Sequence, residues 1–200
     1  MRTRLLVVAV AALLSVAGCA NKTDPPGAVG TPTATPVSTP SPVGPTPAAS
    51  KSSFDDPDLA PNGYGPYTIG AKQADLAARK LLVDVENTPC QGITLAKGTA
   101  DYEKPGLVFY NGALSFLSVN TPLVRTSEGA RVAMPIAQVQ AKYPDALTLN
   151  NSAGGMALLA KDSSGKYGLL FRIRTNGTVE SIEAGLAETI EFRFTEGEGC

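Results

Sequence analysis

The side chains able to do acid–base, nucleophilic or metal chemistry are few in this chain. Its 200 residues include no histidine. That removes Ser-His-Asp and Cys-His nucleophilic sites and every histidine-ligated metal site. Carboxylates remain. Asp101 and Glu103 are of the type that a glycosidase-like hydrolase or a transferase of the cell envelope uses as an acid and base pair, but nothing in the sequence brings them together across a cleft. DSSGKYG carries Ser163, Ser164 and Lys166 between two strand-like runs. It lacks the upstream glycine and the Ser or Thr after lysine of a phosphate loop, so it reads as a solvated hairpin turn. FDDPDLAPNGYG gathers Asp55, Asp56, Asp58 and Asn62 without the alternating pattern of a calcium loop, and reads as proline-flanked turns. Glu188, Glu191, Glu196 and Glu198 read as an acidic, solvated edge. The sequence therefore predicts no catalytic residue, no metal ligand and no cofactor, and a protein that is not an enzyme.

Three cysteines are left, at 19, 90 and 200. Ahead of Cys19, Arg2 and Arg4 give a positive start, residues 5–16 form an uncharged apolar run, and Ala17 and Gly18 are small. This is the layout of a signal peptide over residues 1–18, too short to span a bilayer. Val16-Ala17-Gly18-Cys19 resembles the lipobox of bacterial lipoproteins. The resemblance implies a diacylglyceryl group on the Cys19 thiol, cleavage before it, acylation of the new amine, and stable anchoring on the outer face of the cytoplasmic membrane. If Cys19 carries lipid, Cys90 and Cys200 remain as a pair in an oxidising compartment, and parity predicts a disulfide between them. Such a bridge closes a loop of about 110 residues, worth roughly 4–5 kcal/mol by chain entropy.

Residues 19–61 are a different polymer. Ten of the sixteen prolines lie here, in runs such as TPTATPVSTPSPVGPTP, with almost no large apolar side chain. Such a chain buries too little surface to offset its ordering entropy, so an extended tether is predicted, with Thr-Pro pairs of a composition that accepts O-linked sugars. Residues 62–200 are enough for one domain with a core. Without Arg2 and Arg4 the 17 basic residues become 15 against 18 acidic ones, a net charge near −3. There is no basic run and no tryptophan, so the footprint of nucleic-acid binding is absent.

Within the domain, Ala74, Ala77, Ala78, Leu81, Leu82 and Val85 follow one helical face, ended by Asn87-Thr88-Pro89. Farther along, Pro135 suits a first helical position, Ile136, Val139 and Tyr143 share a face, and Pro144 ends the helix. Each helix precedes strand-like runs split by Asn-Gly, at Asn111-Gly112 and Asn176-Gly177, the hairpin signal in which both turn residues take positive φ. In TIEFRF, Ile190, Phe192 and Phe194 alternate with Glu191 and Arg193, which predicts a final strand. Ile69-Gly70 and Val132-Ala133 are 63 residues apart, and GLVF at 106 and GLLF at 168 are 62 apart. The spacing predicts an α+β fold of two helix-plus-antiparallel-meander units, about 63–125 and 126–200, forming one sheet of six to eight strands with the helices on one face.

The lipobox, the Ile-Gly before a short helix and the tandem units together resemble small exported bacterial lipoproteins of actinobacterial type, the tandem repeat of the β-lactamase-inhibitor-protein type, and the small lipoproteins of outer-membrane assembly. The second unit departs from the pattern in having Ala133 where the first has Gly70. The resemblance implies a membrane-anchored, non-catalytic binding or scaffolding module of the cell envelope, with an envelope protein or cell-wall partner engaged through the sheet face or the loops. It carries over no binding residue.

Overall fold

The structure, a computed structural model, describes residues 57–197. The signal peptide, Cys19, the tether up to residue 56, and Cys200 lie outside the described residues. A small hairpin of β1 (Gly63–Tyr64) and β2 (Tyr67–Thr68) precedes α1 (Gln73–Ala78). Then come β3 (Leu82–Asn87), β4 (Ile93–Gly98), a 3-10 turn (Ala100–Tyr102), β5 (Gly106–Tyr110) and β6 (Ala113–Val119). The second run has α2 (Ile136–Lys142), β7 (Leu147–Asn150), β8 (Met156–Lys161), β9 (Tyr167–Ile173), β10 (Val179–Leu186) and α3 (Ala187–Glu196). The strands β3 to β10 form one eight-stranded antiparallel sheet in the order β3-β4-β5-β6-β10-β9-β8-β7, so two four-stranded meanders meet along β6 and β10. The α+β class and the single antiparallel sheet are as the sequence predicts.

Alternation along the strands gives the sheet two apolar faces. On one face Leu107, Phe109, Leu117, Leu158, Leu169 and Phe171 pack with Leu76 of α1 and Val139 of α2. On the other, Phe116, Ala157, Leu159 and Leu170 pack with Ile190 and Phe194 of α3. The helices therefore lie on both faces, not on one. The reason is in α3 itself, because TIEFRF is helical and not the final strand. Ala187, Ile190 and Phe194 are the buried positions, spaced i, i+3 and i+7, while Phe192 is 62% exposed. Over so short a stretch the two periods share Ile190 and Phe194, and only the burial of Ala187 with them distinguishes helix from strand.

The first helix is also shorter than its periodicity predicts. It ends at Ala78, Lys80 takes a left-handed φ of 57°, and Leu82 to Asn87 pair with β4 as an edge strand. The β-branched Val83 and Val85 fit that pleated edge better than a helix continuation. The Asn111-Gly112 turn is a two-residue hairpin loop with both φ values positive, 50° and 76°. At Asn176-Gly177 the loop is wider. Only Gly177 has positive φ, while the Asn176 side chain accepts hydrogen bonds from the Thr178 amide and hydroxyl. Packing also begins before residue 62. Leu59 is fully buried, its amide donates to the Arg125 carbonyl, and Asp58 pairs with Arg125 at 2.7 Å.

Candidate functional site

The sheet face that carries α3 is covered over only part of its width. Beyond α3 towards β3 lies an apolar groove of about 530 Å³. Pairing of Ile93 with Tyr110, Leu95 with Val108, and Val108 with Phe116 puts these five side chains on one face, because directly opposed residues in antiparallel strands point the same way. They make the floor. Leu186, Thr189, Phe192 and Arg193 make the wall on the α3 side, and Thr88 and Cys90 lie at the rim. The surface is open: Leu95 is 38%, Tyr110 58% and Phe192 62% exposed.

Its polar groups are engaged. The Thr88 hydroxyl donates to the Ile93 carbonyl and accepts from the Cys90 amide, at 3.0 and 3.2 Å. The Arg193 guanidinium lies 4.1 Å from the centre of the Phe116 ring, a stacked cation that flattens the wall against the floor. Cys90 is disulfide-bonded, and its partner is among the cysteines outside the described residues. No carboxylate lines the groove. What this arrangement does physically is offer apolar area, with neither a positioned acid nor a positioned base.

The residues singled out from the sequence are dispersed. Asp101 lies in the 3-10 turn and Glu103 caps it with a φ of 57°; both are exposed and neither lines the groove. Ser163, Ser164 and Lys166 form the β8–β9 turn. The Ser164 hydroxyl donates to Asp162 at 2.9 Å, and Lys166 sits 4.9 Å from the Tyr167 ring. Burial works to raise the Asp162 carboxyl, but hydrogen bonds from Ser164 and the turn amides outweigh it and hold it below the usual carboxylate range. Among the acidic residues near the C-terminus, Glu191 pairs with Lys161 at 2.9 Å, Glu188 and Glu196 are exposed, and Glu198 lies outside the described residues, as do Asp55 and Asp56. Among the described residues no cluster of three or more Cys, Asp or Glu side chains is disposed to hold a metal ion. One ion pair is buried beneath α3, Arg172 with Glu183, and Arg172 also stacks over Phe194. It braces α3 on its own seat.

Sequence reasoning did not find the groove. Its signal was present in the strand ITLAKG, where Ile93 and Leu95 point to the face opposite Ala96, a pattern that gives an edge region two apolar sides. No helix of the described residues is long and apolar enough to cross a membrane.

No protein-family model matches the chain, and no curated protein matches it. Among solved structures the chain is similar to an extracellular protein containing a SCP domain from Bacillus anthracis str. Ames. The identity is 13% and the TM-score 0.44, over 74% of this chain and 52% of that one. The matched region thus spans about half the length of that protein. A likeness at this level carries no argument about function.

Proposed function

We propose that the protein is a lipid-anchored module of the cell envelope that binds a partner without catalysing a reaction, and that the groove beside α3 is its binding surface. The observation that carries this reading is the groove. Isolated exposed apolar side chains are ordinary, but here Leu95, Tyr110 and Phe192 are exposed together around one continuous apolar concavity. The lack of a carboxylate or any other acid–base group in its lining favours binding over hydrolysis. Anchoring is supported by the sequence Val16-Ala17-Gly18-Cys19 and by the proline-rich tether, which places the domain off the membrane.

A finer architecture belongs to the same proposal: two helix-plus-meander units joined along β6 and β10. Matched backbone bonds support it. The Gly70 amide donates to the Leu114 carbonyl and the Leu114 amide to Ala71, as the Ala133 amide donates to Val179 and the Val179 amide to Met134. The amides of Gln73 and Ile136 donate to Gly112 and Gly177, the glycines of the two Asn-Gly turns. Pairing of Cys90 with Cys200 is the third element. It follows from parity, and from α3, which ends at Glu196 and brings Phe192 and Arg193 to the groove whose rim holds Cys90.

The test has two arms. Cys19→Ala should move the protein out of the detergent phase. In the wild-type background, Leu95→Lys should abolish retention of envelope components by the immobilised protein while leaving its thermal midpoint unchanged. Retention that is indifferent to Leu95→Lys would dismiss the groove as the binding surface. Peptide mapping without reductant that finds Cys90 and Cys200 in separate linkages would dismiss that pairing.

A further inference from the structure

The face of the sheet beside α3 presents two comparable stretches, and the molecule covers one of them. Under α3, Ala157 and Leu170 are fully buried. Leu95 and Val108 stand on β4 and β5, each 62 residues earlier in the chain than Ala157 and Leu170 and, like them, directly opposite each other or a neighbour across adjacent strands. Leu95 is 38% exposed. After β10 the chain turns into α3, but after β6 it does not turn into a helix on this side. Val124 is instead buried in the core of the opposite face, with Thr126 and Ala130 completely enclosed. The stretch that would correspond to α3 is thus committed elsewhere, and its seat is open.

We propose that this open seat docks an amphipathic α-helix from a partner protein, about three turns long, lying beside α3 and presenting apolar residues at i, i+3 and i+7 as α3 does with Ala187, Ile190 and Phe194. The inference rests on the groove being the binding surface. The molecule supplies the argument for the kind of occupant, because its own cover for the comparable stretch is such a helix. Other occupants fit less well. Small-molecule sites enclose most of their ligand, whereas this groove leaves Tyr110 and Phe192 more than half exposed. An extended peptide needs an unpaired strand edge, and β4 and β5 are each paired on both sides. A second copy turned onto the groove would present the outer side of α3, where Phe192 stands near the exposed Glu188 and Glu196, and would set carboxylates against Ile93, Leu95 and Val108.

The probe is a synthetic helix-stabilised peptide with the α3 sequence AETIEFRFTE, titrated into the chain of residues 19–200 carrying Cys19→Ala and followed by backbone amide NMR. The expected result is saturable shifts centred on Ile93, Leu95, Val108 and Tyr110. Leu95→Lys should weaken binding at least about tenfold, since one buried leucine contact is lost and a charge is placed on the floor. Leu123→Lys, at a side chain 65% exposed and outside the groove, should leave it unchanged. Three results overturn the helix: no shift at these residues, the same shifts on adding dodecylphosphocholine micelles but not peptide, or shifts that grow with protein concentration alone. If any of these appears while Leu95→Lys still abolishes envelope retention, the helix is wrong and the groove remains the binding surface. Retention unaffected by Leu95→Lys removes the surface itself.

Discussion

Leu170 and Val108 occupy matching places in the two meanders, and they meet different surroundings. Leu170 is sealed between the sheet and α3, whereas Val108 lines an open groove. The strands beneath them differ little: both meanders are antiparallel, both have two apolar faces, and both are preceded by a short helix packed on the other side. What differs is the segment that follows. After β10, Ala187, Ile190 and Phe194 recur at helical spacing and close the face. After β6, Pro122 and Gly129 interrupt any such period, and Val124 is drawn into the opposite core. A face that is apolar and uncovered costs solvent exposure without adding stability. Its retention in this fold makes sense as a surface to be covered by something else.

If α3 is the cover, removing its main contact should be the most damaging change. Phe194 is 4% exposed, packs with Phe116, Leu159 and Leu170, and carries Arg172 against its ring. Phe194→Ala should cost about 3–5 kcal/mol, read as a shift in urea midpoint at unchanged m-value. A loss below about 1 kcal/mol would mean that α3 is not seated as a core element, and the contrast between the two meanders would vanish.

The next effect concerns what holds the chain after β6 on the opposite face. There the Tyr143 hydroxyl of the α2 cap donates to Thr126 Oγ1 at 2.8 Å, and Thr126 Oγ1 also accepts from the Ala130 amide at 2.9 Å. Tyr143→Phe should cost about 1 kcal/mol. It should also change the alkaline limb of the stability curve. Burial raises the Tyr143 pKa above its ordinary 10.0, the charge of Glu128 adds to this, and the Thr126 bond only partly opposes it. The folded state thus keeps its proton where the unfolded chain releases it. The contribution is present below the unfolded pKa and is lost as pH rises from about 10 through the raised folded value. In the phenylalanine variant that portion of the alkaline loss should be missing. An unchanged alkaline limb would show that Tyr143 is not the group responsible.

How much of this was legible in the sequence depends on the length of each signal. Asn111-Gly112 was readable because two positive φ values at a tight turn admit few residue pairs. The α2 helix was readable because Val139 and Tyr143 repeat at i and i+4 between two prolines. The α1 overrun came from a periodic pattern that continued through Leu82 and Val85, while the actual break is a left-handed Lys80 that no residue preference announces. TIEFRF satisfied both periods over six residues, and packing chose the helix. The groove was not legible because it is an absence of cover, set by where the segments after β6 and β10 go, and that is a long-range outcome. The Gly70 and Ala133 pair was partly legible. Their φ values, 90° and 68°, confirm a left-handed requirement at both places, met in one by glycine and in the other by a strained alanine. Ala133→Gly should therefore stabilise by about 0.5 kcal/mol, the strain relieved less the added entropy of glycine. Gly70→Ala should destabilise by about 1 kcal/mol, because a Cβ there meets nothing within 4 Å and only the backbone conformation resists it.

The smallest expected effect on stability gives the sharpest comparison, because it lies on the same helix as the largest. Phe192 is two residues from Phe194, has the same side chain, and is 62% exposed against 4%. Its ring lines the open groove rather than the sealed seat. Phe192→Ala removes little buried area, and alanine favours the helix by a few tenths of a kcal/mol, so the change in stability should stay within about 0.5 kcal/mol of zero. Binding should respond in the opposite way. An aromatic ring standing in solvent at the wall of an apolar groove contributes nothing to folding that its exposure does not cancel, but it supplies contact area to whatever fills the groove. Titration of the α3-sequence peptide into the Phe192→Ala protein should therefore show affinity reduced several-fold at an unchanged melting temperature. A variant that melts several degrees lower would show that Phe192 is part of the fold. A variant that binds as the parent does would remove the α3 wall from the docking site and leave only the floor.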